Sequence, residues 1–248
     1  MKILIISDIH GNWPALRAVL TAETSIDEIL CLGDLVAYGP EPLRCVTWAI
    51  EHVAVTRLIQ GNHDWAVGWD EDPLCSPAYR HLALVTRKHC LRVFTEGLRT
   101  FLTELWPQRS FLLNGATCVA CHAVPSDPRF RYLALGIEKE KWREEVDRAG
   151  SPSFLLVGHT HLPGKMRIGK TVIVNPGSVG QPKDGDPRAA YAIWEDGDVS
   201  LRRAEYDVEE TVRAYPTPPF LREDVASLAH VLRTGGELPQ QQKAELRP

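Results

Sequence analysis

The chain has 248 residues, of which 44% are hydrophobic and 24% are charged, and its formal net charge is −4. This composition is typical of a globular protein and excludes disordered and fibrous classes. The mild negative charge argues against duplex nucleic acid or an anionic membrane as the main partner. Apolar runs such as 3–6 are too short for a membrane span or a signal peptide, so we expect a cytoplasmic location.

The first sixty residues predict repeated strand-to-helix units. Apolar runs at 2–7, 29–32 and 53–59 have the composition of buried strands. Helices are expected to begin after Asn12, as the capping residue, and at Pro42. Right-handed crossovers would make the three strands parallel, so their carboxyl ends would share one edge of a sheet.

The middle of the chain predicts further helix and then a second group of strands. Residues 77–106 have a helical pattern. Strand-like runs at 110–114, 117–122 and 153–157 surround a charged helix predicted over 137–148.

Two hairpins and a helical tail complete the predicted elements. Turns are expected at 169–170 and at 196–197, where Asp-Gly is a strong hairpin signal. After Tyr206 the pattern returns to two short helices separated by a proline-rich break, and the last ten residues are expected to fray. We therefore predict a core at 1–206 and a helical appendage at 207–248, packed on the same domain or used as a homodimer contact.

The cysteines indicate a reduced protein. Six of them are spread along the chain without a dense framework, which is typical of free thiols. The run Cys118-Val119-Ala120-Cys121-His122 also spells the c-type haem attachment pattern. Haem attachment requires export and this run alternates like a strand, so we interpret it as a strand and predict no haem.

Five short polar stretches each follow directly on a strand-like run. They are Asp8-Ile9-His10, Gly33-Asp34, Gly61-Asn62-His63-Asp64, Cys121-His122 and Gly158-His159-Thr160-His161. In open α/β sheets, ligands bind just beyond the carboxyl ends of strands. The stretches are therefore candidates for one shared site.

The donor types in these stretches predict a transition-metal centre. Carboxylates, imidazoles and one amide suit Mn, Fe, Co, Ni or Zn better than Ca or Mg. Seven donors are too many for one tetrahedral site and match two metals that share a carboxylate. Two dications offset by Asp8, Asp34 and a hydroxide would keep about one positive charge, which favours an anionic phosphate.

The order of these motifs, from residue 8 to residue 161, resembles that of the calcineurin-like metallophosphoesterase superfamily. The segment Asn175-Pro176-Gly177-Ser178 is similar to its small bacterial and archaeal phosphodiesterase branch. The resemblance implies an α/β fold, namely a four-layer α/β/β/α sandwich of two mixed sheets flanked by helices. It also implies a dinuclear metal centre, for which Mn is the first candidate and Fe, Ni, Co and Zn are alternatives.

The resemblance also implies a role for each residue of the motifs. One metal would be held by Asp8, His10, Asp34 and His161, and the second by Asn62, His122 and His159, with Asp34 as the bridge. His63 would contact the scissile phosphate and protonate the leaving oxygen. A hydroxide bridging the two metals would be the nucleophile.

Two positions depart from the phosphatase members of the superfamily. Tyr38 stands where protein Ser/Thr phosphatases and symmetrical dinucleoside tetraphosphatases carry an arginine that forks onto terminal phosphate oxygens. Ala37 replaces the acid that orients the general-acid histidine of those enzymes. A protein phosphatase is therefore disfavoured, and Tyr38 instead resembles the small phosphodiesterase branch.

Several aromatic residues lie on the same loops, namely Trp13, Tyr38, Trp65 and Trp69. They are predicted either to stack on a nucleobase or aryl leaving group, or to pack the loops and the core. Our candidate substrate-binding residues are Asn12, Trp13, Tyr38 and Asn62.

The sequence thus predicts a dinuclear metal-dependent phosphoesterase that acts on small phosphodiesters or nucleotides. An asymmetrical dinucleoside polyphosphate hydrolase is the alternative among enzymes. A metal-binding interaction scaffold is the alternative of another class, disfavoured because all seven ligand positions are filled.

Overall fold

The computed structural model describes residues 1–236 and residue 238. The last ten residues, which were predicted to fray, lie outside the described residues. The strands in the described part are β1 Lys2–Ile6, β2 Glu28–Cys31, β3 Gln108–Leu113, β4 Ala116–Cys121, β5 Phe154–Leu156, β6 Gly164–Ile168, β7 Thr171–Asn175, β8 Ala189–Glu195 and β9 Asp198–Ala204. The helices are α1 Trp13–Ala22, α2 Pro42–His52, α3 Asn62–Trp69, α4 Arg80–Val93, α5 Glu96–Glu104, α6 Lys139–Arg148, α7 Val208–Arg213 and α8 Arg222–Thr234.

The strands form two mixed sheets. One has the order β2-β1-β8-β9 and the other the order β3-β4-β5-β7-β6. Strands β1 and β2 pair in parallel, as do β4 with β5 and β5 with β7. The antiparallel pairs are β1 with β8, β8 with β9, β3 with β4 and β6 with β7. The carboxyl ends of β1 and β2 therefore lie side by side, and so do those of β4 and β5.

The two sheets pack face to face because their strands alternate between two apolar faces. In β1, Ile3 and Ile5 enter the cluster between the sheets, while Leu4 and Ile6 face the outer helices. Each such fully buried side chain contributes about 1.5–3 kcal/mol. On the far side, Trp142 of α6 packs against the second sheet. The predicted four-layer sandwich of two mixed sheets flanked by helices is confirmed.

The predicted third strand at 53–59 is wrong. The backbone N–H of Arg57 donates to the carbonyl of Ala54 at 2.7 Å, which closes a short 3-10 turn inside the run. Within the run 53–59, Leu58 is the one residue that forms a bridge to β2, a parallel bridge to Cys31. Composition alone does not distinguish a strand from a short extended loop, but this bridge still brings the chain after Ile59 to the end of β2.

The predicted helix at 77–106 is two helices, α4 and α5. The second begins anew because the side chain of Thr95 caps it by accepting from the backbone N–H of Leu98.

Both predicted hairpins are present, with turns between Ile168 and Thr171 and between Glu195 and Asp198.

The tail packs on the helices of the core. Phe220 and Leu228 share a buried cluster with Leu82 of α4. The hydroxyl of Tyr215 donates to the backbone carbonyl of Tyr38 at 2.8 Å, which ties the tail to a loop of the candidate site. The division into a core at 1–206 and an appendage at 207–248 stays a prediction.

The cysteine pair of the haem-like motif is divided between two cores. Cys118 lies in the cluster between the sheets and Cys121 in the cluster under α6, since residues three apart on a strand face opposite sides. All six cysteines of the chain are free thiols in the structure.

Candidate metal centre

The predicted polar stretches come together where four strands end. Asp8 and His10 follow β1, Asp34 follows β2, His122 follows β4, and His159 and His161 follow β5. All six side chains are buried, with exposed fractions of 3% or less. Asn62 and His63 begin α3 beside them, because the backbone N–H of His63 donates to Asp34 Oδ1 at 2.9 Å.

The backbone at these strand ends is strained. Several residues with side chains lie in the left-handed region, with φ between 49° and 65°, namely Asp8, His10, Asp34, His159 and His161. Each such conformation costs on the order of 1–3 kcal/mol and persists only where surrounding contacts impose it. Such clusters of strain are typical of functional sites.

One cluster consists of Asp8, His10 and His161, whose ligand atoms lie within 4.8 Å of one another. His10 Nδ1 lies 3.0 Å from the carbonyl of Val36, and His161 Nδ1 lies 2.5 Å from that of Gln181. Both Nδ1 atoms must therefore carry the proton, which leaves a lone pair on each Nε2. The two Nε2 atoms nevertheless face each other at 3.2 Å.

A second cluster consists of Asp34, His122 and His159. His122 Nδ1 donates to the carbonyl of Leu32 at 2.7 Å, and His159 Nε2 donates to that of Phe130 at 3.1 Å. The remaining nitrogens, His122 Nε2 and His159 Nδ1, face each other at 3.2 Å.

Asp34 lies between the two clusters. Its Oδ2 is 3.2 Å from His122 Nε2 and 3.8 Å from His10 Nε2. Burial alone would raise the pKa of Asp34, but the imidazoles around it, His122 and then His63 and His10, together hold this pKa well below its usual value. Burial likewise opposes the charge on His122, yet Asp34 raises the pKa of His122 to about 9.

The donor atoms fit divalent metal ions. The lone pairs of His10 Nε2 and His161 Nε2, which face each other at 3.2 Å, repel unless a cation lies between them. Two more buried oxygens, Asp8 Oδ1 and Asn62 Oδ1, have no hydrogen-bond partner within residues 1–236 and 238. Each imidazole donates its other N–H to a backbone carbonyl, which is how metal-binding histidines are oriented.

His63 lies beside the two clusters. Its ring centroid is 5.3 Å from that of His10 and 4.8 Å from that of Tyr38. Burial is the main cause that lowers the pKa of His63, to about 4. Tyr38 is buried and contacts both histidine rings with its own ring, so it forms a wall of the site.

Asn12 has a structural role. Its Oδ1 accepts from the backbone N–H of Ala15 and from the hydroxyl of Thr211, while its Nδ2 donates to the carbonyl of Gly180 and to Tyr206. These four hydrogen bonds engage both the oxygen and the nitrogen of the Asn12 carboxamide. The predicted substrate contact of Asn12 gains no support from this geometry, whereas its predicted capping of α1 is confirmed.

The tryptophans lie apart from the two clusters or at their margin. Trp13 packs on the core and under the guanidinium of Arg44, 4.4 Å from the ring centroid. It lines a surface groove on α2 that contains none of the ligand candidates. Trp65 packs edge-on against Phe130, and Trp69 is exposed.

Sequence reasoning missed the structural role of Asp64. Its carboxylate accepts the backbone N–H groups of Asp34, Leu35 and Gly61 at 2.7–3.0 Å. It thereby joins the loops that follow β2 and precede α3. Gly61 is required at this junction, since a Cβ atom there would lie 2.0 Å from Asp34 Oδ1. The Gly-Asn-His-Asp motif contained both residues, but only the fold shows what Asp64 bonds.

Sequence reasoning also missed a group of side chains close to Tyr38 and His159. We call this group the mouth; it consists of Cys75, Tyr79, Tyr132 and Lys183. The ring of Tyr132 lies 3.8 Å from that of His159 and is 46% exposed. The Nζ atom of Lys183 lies 4.4 Å from the ring centroid of Tyr79. These residues belong to three separate loops and form no motif, so no local signal marks them.

Comparison with known proteins places the chain in a family. The model of the calcineurin-like phosphoesterase superfamily domain matches residues 1–197. The crystal structure of a metallophosphoesterase from Sphaerobacter thermophilus has a TM-score of 0.76 and 29% sequence identity, and the match covers 95% of this chain and 99% of that one. The chain therefore belongs to the calcineurin-like phosphoesterase superfamily, and it is a metallophosphoesterase, a hydrolase.

Two sequence relatives agree with this placement. MJ0912, an uncharacterised protein from Methanocaldococcus jannaschii, is 32% identical over 228 residues, which cover 84% of this chain and 89% of that protein. Phosphodiesterase YfcE from Escherichia coli K12 is 27% identical over 204 residues, which cover 81% of this chain and 91% of that protein. The resemblance predicted from the motifs is confirmed.

The described helices contain no candidate for a membrane crossing, since none is both long and apolar enough. The predicted cytoplasmic location stays a prediction.

Proposed function

We propose that this phosphoesterase hydrolyses small phosphodiesters or nucleotides at a centre of two divalent metals. The position of Asp34 carries the proposal. One of its carboxylate oxygens lies within 3.8 Å of a ligand nitrogen in each cluster, as expected for a bridging ligand. The same carboxylate accepts a hydrogen bond from the first turn of α3, where the helix dipole favours a negative charge.

The ligand sets follow from the two clusters. Asp8, His10, Asp34 and His161 would hold one ion, and Asp34, Asn62, His122 and His159 the other. Nitrogen and oxygen donors of this kind suit Mn first, with Fe, Co, Ni and Zn as alternatives. When bound, the two ions supply Lewis-acid activation of water and neutralise charge that develops on the phosphate.

His63 is proposed to assist the leaving group. Its ring lies next to both clusters and against Tyr38, in a position to contact a phosphate ester. Burial keeps the ring neutral near pH 7, but an anionic phosphate beside it would favour the protonated form. The substrate itself would thus help His63 to hold the proton that the leaving oxygen needs.

Activity against bis-p-nitrophenyl phosphate in the presence of Mn tests this function. Asp34→Asn should lower kcat/KM about a thousandfold, equal to roughly 4 kcal/mol of transition-state stabilisation. It should also lower the metal content measured by elemental analysis. Asp147→Asn on the exposed face of α6 is the matched control and should leave both unchanged. Full activity of Asp34→Asn, or full activity without divalent metal, would refute the proposal.

A further inference from the structure

We propose that Tyr132 is a substrate-binding residue whose ring stacks on a planar aromatic group of the phosphoester, so that nucleotides are preferred over esters without such a group. This inference rests on the proposed function, since it concerns an ester held at the same centre. The metals would bind the phosphate of the substrate, and Tyr132 would bind the group attached to it.

Tyr132 lies directly against a ligand candidate. Its ring centroid is 3.8 Å from that of His159, and the two ring planes are inclined by 31°. The rings therefore contact each other through their faces. The same imidazole has its Nδ1 atom 3.2 Å from His122 Nε2, inside the second cluster. One imidazole thus separates the tyrosine ring from the place where a metal and its phosphate would lie.

The ring of Tyr132 is also open to a ligand. His159 covers one face of the ring, yet the residue is 46% exposed, so this exposure comes mainly from the opposite face and the edges. Tyr38 contacts the ring of another ligand candidate, His10, but it is only 3% exposed. Of these two tyrosines, Tyr132 is the one that a substrate can reach.

The loop that carries Tyr132 is fixed on both sides. Arg131 donates to the buried carboxylate of Glu145 in α6 at 2.8 Å. Arg129 donates to the side chain of Gln60, just before α3, at 2.7 Å. The ring is therefore held in place before a substrate binds, and a surface fixed in this way loses little conformational entropy on binding.

His159 does not depend on Tyr132 for its orientation. Its Nε2 donates to the backbone carbonyl of Phe130 at 3.1 Å, which already fixes the imidazole. The tyrosine ring adds a contact to the face of this imidazole, not a hydrogen bond. Removal of the ring should thus leave the ligand atom in place, which makes a role toward substrate separable from a role toward metal.

Stacking on this ring would distinguish nucleotides from other phosphoesters. Every nucleobase has a π-face that gains affinity from an aromatic side chain. An alkyl group or a bare sugar lacks such a face. Two ligands that share a phosphate and a sugar, and differ only in the base, therefore isolate the contribution of Tyr132.

Calorimetry on the Mn-loaded protein with adenosine monophosphate and with ribose 5-phosphate tests the inference. The wild type should bind the nucleotide about 5- to 100-fold more tightly than the sugar phosphate. Tyr132→Leu keeps an apolar side chain on His159 but removes the π-face. It should weaken the nucleotide by about the same factor and leave ribose 5-phosphate within about twofold. Tyr132→Phe, which retains the ring, should keep the preference.

Three controls separate this loss from damage to the site. The Mn content of Tyr132→Leu, measured by elemental analysis, should equal that of the wild type. Tyr132→Met should repeat the leucine result if leucine disturbs the fold. Trp69→Leu removes another exposed ring, about 10 Å along α3 from Asn62, and should leave both affinities unchanged.

A wild type that binds the nucleotide no more tightly than ribose 5-phosphate would overturn the inference. Equal weakening of both ligands in Tyr132→Leu, together with lost Mn, would overturn it as well, because Tyr132 would then act on His159 alone. Absence of phosphoester hydrolysis by the wild type would instead contradict the proposed function, and the two titrations would still decide the role of Tyr132.

Discussion

The seven ligand candidates, which we call the floor of the site, and the side chains of the mouth are held in place in different ways. Each histidine of the floor is bonded to a backbone carbonyl, as His10 is to Val36 and His122 to Leu32. In the mouth the contacts run between side chains, such as Lys183 over Tyr79. The metal-binding part therefore depends on loop backbone, while the side chains of the mouth can change without altering those loops.

Asp64→Asn should break the floor and gives the largest expected effect. Three backbone N–H groups donate to the carboxylate of Asp64, which is fully buried. In asparagine one carboxylate oxygen becomes an NH2 group, which would face at least one of these N–H donors and cannot accept a hydrogen bond from it. The free energy of unfolding should fall by about 2–4 kcal/mol, and metal affinity by about 10- to 100-fold. Chemical denaturation and metal titration measure the two effects.

Asp147→Asn again serves as the control for Asp64→Asn, since Asp147 is exposed. Unchanged stability of Asp64→Asn would mean that the backbone hydrogen bonds to Asp64 do not stabilise the loops of the floor. The proposed difference between a floor fixed by backbone contacts and a mouth fixed by side-chain contacts would then be wrong.

Acid should destabilise the floor of the metal-free protein. Burial lowers the pKa of five imidazoles, to about 3 for His10 and about 4 for His63, and also for His89, His159 and His161. The unfolded chain binds these protons at about pH 6.5 and the folded chain does not, so stability is lost as the pH falls below 6.5. Three groups with raised pKa, about 6 for Asp8, about 7 for Asp64 and about 9 for His122, oppose this loss in part, because the folded state holds their protons at a pH where the unfolded chain has released them.

The thermal midpoint of the chelator-treated protein at pH 7, 6 and 5 measures this effect. It should fall at each step, since the five neutral imidazoles outnumber the three opposing groups. A midpoint that stays constant or rises on acidification would contradict the assignment of neutral, buried imidazoles to His10, His159 and His161.

Trp13→Ala should have the smallest effect on catalysis. The ring packs on the core and on Arg44, outside both floor and mouth, so KM for nucleotide substrates should change less than about twofold. The free energy of unfolding should still fall by about 2 kcal/mol, because a half-buried aromatic ring is removed. A several-fold rise in KM would restore the predicted stacking role of Trp13.

The motifs of the floor could be recognised in the sequence because each is short and follows a strand. In Gly158-His159-Thr160-His161, the two ligand candidates are two residues apart, and the end of β5 just before them fixes the position of this segment. The third strand at 53–59 was wrong for the opposite reason. Its β-branched residues satisfy the composition of a strand, but the 3-10 turn at Val55–Arg57 follows from contacts that composition does not contain.

The sequence by itself determined the residue types of the site, their order and the sheet edge where they gather, because strand ends and metal ligands are local features. Only the tertiary structure decided which nitrogen of each histidine faces inward, that Asp34 lies between the clusters, and that the ring of Tyr132 packs against that of His159. Those facts depend on backbone carbonyls and rings from segments far apart in the chain. Their relative positions are set when the two sheets pack together.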